Sequence, residues 1–213
     1  LPSPTPVPVA IVTTITPITS DDITQHFLDL AFGSGNNQLY QLPYVQNINT
    51  PKNSIALRSG LDSDLALMQD FISQFNDLSA TEKFSENIKR GNNANVVIQF
   101  VSQDGMDAIP TESDTQEYKS GGISFAKIGS STIYINDSLT GDARKHMILC
   151  SLLYLLGFRG DSFRYPDSIF YYQNTTGPTL NLIDQQAIQI MYGAGLRPGT
   201  TVADIRNVVY VKL

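Results

Sequence analysis

No other segment constrains the architecture as tightly as Arg144-Lys145-His146-Met147-Ile148-Leu149-Cys150-Ser151-Leu152-Leu153-Tyr154-Leu155-Leu156-Gly157. Asp142, just ahead of it, is placed to cap a helix. Met147, Ile148, Leu149, Cys150, Leu152, Leu153, Leu155 and Leu156 then run round every side of that predicted helix. A surface helix keeps a polar face, and one that is apolar all round belongs in the centre of a domain. Gly157 can end it by taking φ > 0, a conformation that a Cβ disfavours. Such a helix needs apolar partners on all sides, which the rest of the chain must supply.

Upstream, Ile123 to Ile128 and Thr132 to Ile135 flank Gly129-Ser130 and are predicted to form a hairpin introduced by Gly121-Gly122. Asn95 to Ser102 holds Val96, Val97, Ile98, Phe100 and Val101, a β-branched and aromatic run expected of a strand covered on both faces. Ser54 to Ser59 alternates Ile55 and Leu57 with small or polar residues, as a half-buried strand does. Phe84, Glu86 and Ile88 suggest another strand over Lys83 to Lys89, and the polar stretch Gln103 to Ser120 is predicted to be irregular. Ser20-Asp21-Asp22 supplies capping side chains for a helix with Ile23, Phe27, Leu28 and Ala31 on one face and Gly33 at its end. Asp62 or Ser63 can cap a second, whose Leu65, Leu67, Met68, Phe71, Ile72 and Phe75 recur at helical spacing to about Leu78. Gly35 to Pro51 is predicted to be a loop with one short strand around Leu39 to Leu42. Downstream, Asn181 to Tyr192 is a predicted helix burying Ile183, Ala187, Ile188, Ile190 and Met191, followed by a short helix over Val202 to Arg206 and a terminal strand, Val208 to Val211.

The chain has 213 residues, the size of one domain with a full core. Only 16% of residues are charged against 41% hydrophobic, so solubility rests on neutral polar groups, a surface common among exported proteins. The net charge of −6 argues against a nucleic-acid partner, which needs a basic patch. Cys150 is the only cysteine, which rules out an intramolecular disulfide. No stretch of the sequence is long and apolar enough to span a bilayer. Leu1-Pro2-Ser3-Pro4-Thr5-Pro6-Val7-Pro8-Val9 favours an extended spacer, so residues 1–18 are predicted to be a tether and residues 19–213 the domain. A strand at the edge of the fold is the other reading of its β-branched end, Ala10 to Ile18. Asn136-Asp137-Ser138 and Asn174-Thr175-Thr176 match glycosylation sequons.

Three segments together resemble the matrixin-like zincin metallopeptidases. Arg144 to Phe158 is similar to their metal-binding helix ending in Leu-Gly. Pro166-Asp167-Ser168-Ile169-Phe170-Tyr171 is similar to the Ser-Ile-Met-Tyr turn beneath the metal. Asn181-Leu182-Ile183-Asp184 through Ile188-Gln189-Ile190-Met191-Tyr192-Gly193 is similar to their Leu-Ser-x-Asp-x-x-Gly-Ile-Gln-x-Leu-Tyr-Gly helix. Leu196-Arg197-Pro198-Gly199 and the helix after it resemble the end of an uncharacterised family of exported bacterial and archaeal proteins close to these peptidases. The resemblance implies an α+β fold in which a twisted mixed β-sheet packs on a buried active-site-type helix, with a further helix towards the C-terminus.

Every functional position departs from the pattern. A working zincin carries His-Glu-x-x-His, two imidazoles gripping Zn²⁺ and a glutamate activating the metal-bound water. Counted back from Gly157, the ligand positions fall on Cys150 and Tyr154 and the base position on Ser151. The third ligand falls at Gly160, beside Asp161, and Phe170 replaces the methionine of the turn. Two readings stand side by side. Cys150, Tyr154 and Asp161 could form an unusual metal site and serve a hydrolase, since thiolate, phenolate and carboxylate can all ligate. Alternatively, Cys150 is a small buried apolar residue, Tyr154 fills the volume of a lost imidazole and Asp161 caps a turn.

The two histidines are expected to be ordinary: His146 partly exposed near the start of its helix, His26 on the polar side of its own. A Cys150–His146 dyad would suffer from an apolar helix that disfavours the thiolate. The carboxylate pairs Asp62 with Asp64, Asp104 with Asp107 and Glu112 with Asp114 carry no signal that selects one for acid–base or Ca²⁺ chemistry. The sequence therefore leads to an expected zincin-like domain, secreted or attached to the cell surface, that has lost its catalytic residues and needs no cofactor. Its expected partner is an extended peptide or a surface protein, taken up by strand addition along Ile123 to Ile128 or Thr132 to Ile135.

Overall fold

The computed structural model describes residues 18–33, 54–80, 84–111, 115–129, 131–171, 179–193, 196 and 199–209, the side chains of 206–209 excepted. The predicted tether up to Pro17, the short strand at 39–42, the Glu112–Asp114 pair and the sequon at 174–176 fall outside these residues.

Six strands make one sheet: β1 (Ile55–Leu57), β2 (Lys89–Arg90), β3 (Val96–Val101), β4 (Gln116–Ser120), β5 (Ile123–Ile128) and β6 (Thr132–Asn136). Their order is β2-β1-β3-β6-β5-β4. The β2–β1, β1–β3 and β3–β6 pairs are parallel, while β5 runs antiparallel to both β6 and β4. The class is α+β with a mixed sheet, as the sequence led us to expect.

The predicted 123–135 hairpin forms, but neither of its strands is an edge. β5 lies between β6 and β4, and β6 between β3 and β5. The outer strand beside the hairpin is β4, within the stretch expected to be irregular, and the same stretch also holds α3 (Gln103–Ala108). Gly121 (φ 58°) and Gly122 (φ 85°) explain β4: both take φ > 0, as the two central residues of a type I′ hairpin turn must. The Gly-Gly pair thus joins β4 to β5 rather than opening a new pair of strands. β3 alternates buried and half-buried side chains, so only one of its faces is fully covered. The strand expected at 83–89 shrinks to β2, with Phe84 held instead by Asn76, whose side chain bonds both the nitrogen (2.8 Å) and the oxygen (3.0 Å) of Phe84.

The helices are α1 (Ser20–Phe32), α2 (Asp62–Leu78), α3, α4 (Gly141–Leu155), α5 (Leu182–Gly193) and α6 (Val202–Val209). α6 runs through 208 and 209, where a terminal strand was expected. The capping residues also lie one or two positions earlier than predicted. Thr19 caps α1 through a reciprocal box with Asp22, Leu61 precedes α2 with Asp64 accepting its N–H, and Thr140 precedes α4.

α4 occupies the position its composition demands. Ile148, Leu149, Leu152 and Leu153 are buried against the sheet residues Ala126, Ile133 and Ile135 and the α2 residues Met68, Phe71 and Phe75 in one core. Each such side chain contributes about 1.5–3 kcal/mol of burial. Arg144, at the polar start of α4, is itself buried. It grips Asp64 of α2 with two hydrogen bonds, 2.9 and 2.7 Å, and lies 3.6 Å from the centre of the Phe100 ring. This accounts for Asp64 as a structural carboxylate, while its neighbour Asp62 pairs with Arg90 at the surface. At the other end Gly157 takes φ 94°, as expected of a helix-terminating glycine, and Tyr192 of α5 donates to the Leu156 carbonyl at 2.6 Å.

Candidate functional site

Between β4, the outermost of the described strands on that side, the middle of α4 and the segment 158–171 lies a cleft of about 470 Å³. Tyr118, Lys119, Phe125, His146, Cys150, Asp161, Phe170 and Tyr171 are among its walls. It therefore gathers four of the positions singled out in the sequence, Cys150, Gly160, Asp161 and Phe170, together with His146.

His146 and Cys150 stand one helical turn apart on α4 and face the same way, Nε2 to Sγ 3.1 Å. His146 is 5% exposed, not the partly exposed residue the sequence suggested, because the sheet edge and the 158–171 segment close over the start of the helix. The sulfur also donates to the Ile169 carbonyl at 3.4 Å. Both contacts are satisfied together when the imidazole donates Nε2–H to sulfur and the thiol passes its own proton to the carbonyl. Cys150 is not the wholly buried apolar residue of one of the two readings, since part of its surface lines the cleft. Enough protein still surrounds the sulfur that burial pushes the thiol far above its ordinary range, with the Asp161 and Asp184 carboxylates acting in the same direction. Burial likewise raises the Tyr118 phenol, and partial desolvation by the cleft wall raises Asp161, although much of that residue faces solvent.

Tyr154 is buried, packed edge-on against Tyr118 (6.5 Å, 84°) and covered by the Arg159 guanidinium 4.8 Å from its ring centre. Ser151, expected from the resemblance to stand at the base position, is fully buried, and its hydroxyl has no hydrogen-bond partner among the described residues. Among those residues no three His, Cys, Asp or Glu side chains converge as metal ligands. At Gly160, where the resemblance led us to expect the third ligand position, an added Cβ would collide with the Asp29 carbonyl at the end of α1. Arg159 and Gly160 both donate backbone N–H to the Leu30 carbonyl, at 2.9 and 2.8 Å, which fixes this close approach.

The sequence left the support of the cleft unread. Asp184 of α5 is fully buried and accepts from Ser168 Oγ (2.6 Å), Ile169 N (3.0 Å) and Asn181 N (3.3 Å). His26 Nε2 lies 3.1 Å from Asp184 Oδ1, the same oxygen that accepts from Ser168. His26 is 1% exposed and packs edge-on against Tyr165, so it faces the interior and not the polar side of α1. The Asp184 carboxylate thus ties α1 and α5 to the turn that offers Ile169 to Cys150. Asn181 three residues before Asp184 marks a helix N-terminus in sequence, and Asp184 N does donate to Asn181 Oδ1 at 3.0 Å. Nothing in the sequence pairs Asp184 with His26.

A family described as a protein of unknown function (DUF2927) matches residues 20–210. The chain belongs to the DUF2927 family. The match begins with α1 and runs through α6, so the helix that carries His26 and abuts Gly160 is part of the DUF2927 domain. No curated protein matches this DUF2927 chain. None of its described helices is long and apolar enough to cross a membrane.

Proposed function

We propose that this domain is a non-catalytic relative of the zincin metallopeptidases, secreted or held at the cell surface, which binds an extended segment of a peptide or protein partner in the cleft beside β4. The observation that carries this reading is the closure of the third-ligand position. Gly160 admits no side chain because the backbone of α1 abuts it. A peptidase that had only exchanged its ligands would keep room there.

The strand order, with β4 outermost next to the cleft, supports strand addition at β4 in place of the hairpin strands first considered. The aromatic side chains of Tyr118, Phe125, Phe170 and Tyr171 offer apolar surface to alternate side chains of such a segment. The alternative hydrolase, with Cys150, Tyr154 and Asp161 around a metal, has less support, since Tyr154 is buried under Arg159 and burial holds the Cys150 thiol protonated.

A pool of short unstructured peptides added to isotope-labelled protein tests both. Binding is expected to shift the backbone amides of Gln116–Ser120 and of Asp161 and Tyr171, with every peptide recovered intact by mass spectrometry. Shifts confined to other surfaces would remove the β4 reading. Metal-dependent cleavage of the pool would replace it with the hydrolase.

A further inference from the structure

The cleft floor carries a pair of donor atoms whose chemistry goes beyond peptide binding. Sulfur and imidazole nitrogen are the donors that soft transition-metal ions prefer, whereas hydroxyl and carboxylate oxygens suit hard ones. Cys150 Sγ and His146 Nε2 lie 3.1 Å apart on one face of α4, and both residues line the open cavity of about 470 Å³. We infer that Cys150 and His146 form a two-donor site for a soft monovalent cation, copper(I) being the biological ion of that class.

Ligand number argues for a monovalent ion. Exchanging the thiol proton for a singly charged cation leaves the net charge of the pair unchanged. A divalent ion requires more ligands, and among the described residues no third His, Cys, Asp or Glu joins the pair to provide them. Zinc, which takes four ligands, is disfavoured for that reason, whereas copper(I) accepts two.

Binding needs little rearrangement. Metal–sulfur and metal–nitrogen bonds of roughly 2 Å each require the two atoms to part by about 1 Å, and both residues line the cleft. As the S–Cu bond forms, the Cys150 proton leaves to solvent. The imidazole proton that Nε2 donates to sulfur in the free protein moves by exchange with solvent to Nδ1, which frees the Nε2 lone pair for the metal, and no electron changes hands. The Cys150 hydrogen bond to the Ile169 carbonyl is given up.

The test is an anaerobic copper(I) titration of the full chain against bicinchoninate, followed by X-ray absorption at the copper edge. One equivalent should be retained, with one sulfur and one nitrogen neighbour, and excess zinc(II) should leave it bound. Cys150→Ser should weaken retention at least a hundredfold and His146→Gln at least tenfold, with circular dichroism reporting whether each variant folds. Complete loss of copper to the competitor, a copper edge without sulfur, or wild-type affinity in folded Cys150→Ser would overturn the site. If a variant fails to fold, the wild-type spectrum decides alone, because a thiolate–copper bond, shorter than a thioether–copper bond, can come only from Cys150, the single cysteine of the chain. Peptide binding at β4 can succeed or fail without affecting any of these outcomes.

Discussion

The α-carbon of Gly160 rests against the backbone of Asp29, at the C-terminal end of α1, with no room for a Cβ between them. This contact joins α1 to the segment that follows the buried helix, where Gly160 itself lines the cleft. Gly160→Ala is therefore expected to force the two backbones apart and to destabilise the fold by about 1–3 kcal/mol, as overpacking does. The urea midpoint measures it, and a variant with the wild-type midpoint would show that α1 does not hold this position in solution.

Asp184 joins α1 and α5 to the turn that forms one wall of the cleft, so its removal is predicted to affect both stability and the cleft. Asp184→Ala strands Ser168 Oγ, the Ile169 N–H and His26 in the interior. Breaking a buried ionic hydrogen-bonded group in this way costs about 3–5 kcal/mol. His26→Ala should cost less, because Asp184 keeps its donors from the turn, and the two changes should be less than additive in a double-mutant cycle. Both should speed alkylation of Cys150 by iodoacetamide, since a loosened turn frees the sulfur from Ile169. Unchanged alkylation rates would separate the hub from the cleft.

Arg144 and Asp64 tie α4 to α2 through a buried two-pronged contact. Arg144→Ala leaves the Asp64 carboxylate buried without its cation and should lose about 3–5 kcal/mol of stability. Arg144→Lys should recover only part of that loss, because an ammonium cannot reproduce the fork and forfeits the stacking on Phe100. Full recovery by lysine would mean that charge alone matters here. Denaturant unfolding of the three proteins distinguishes these cases.

The raised Cys150 thiol and Tyr118 phenol give the domain an alkaline weakness. Both groups stay protonated in the folded chain at a pH where the unfolded chain ionises. Their stabilising contribution is complete below the ordinary values, about 8.5 for a thiol and 10 for a phenol, and declines as pH rises above them. Stability should thus fall between roughly pH 8.5 and 11, and Cys150→Ala should flatten the first part of that fall. A stability curve of Cys150→Ala parallel to the wild type over this range would contradict the burial of the sulfur. The same protonation predicts slow alkylation of Cys150 at pH 8 compared with an exposed thiol.

Local pattern was enough to locate α2 and α4, because their apolar residues recur at helical spacing or encircle the helix, and to find the hairpin of β5 and β6 on either side of Gly129. The polar stretch 103–120 hid α3 and β4, since neither buries a continuous apolar face: β4 is half-buried or exposed along its length, as an edge strand is. A closer reading of Gly121-Gly122 as a two-residue turn would have exposed β4 in advance. Cys150 and Asp161 were named from a motif frame, and folding does bring both to one cleft. His146 was weighed and set aside, because i,i+4 spacing says which side chains share a face but not what covers that face.

Sequence alone determined which helix is central and which segments pair as the β5–β6 hairpin, because each follows from the order of apolar and polar side chains along a short segment. Tertiary structure alone decided that His26 meets Asp184, that β4 and not the hairpin forms the sheet edge by the cleft, and that α1 closes on Gly160. These contacts join residues far apart in the chain, whose partners are fixed by how whole elements pack and leave no trace in local periodicity.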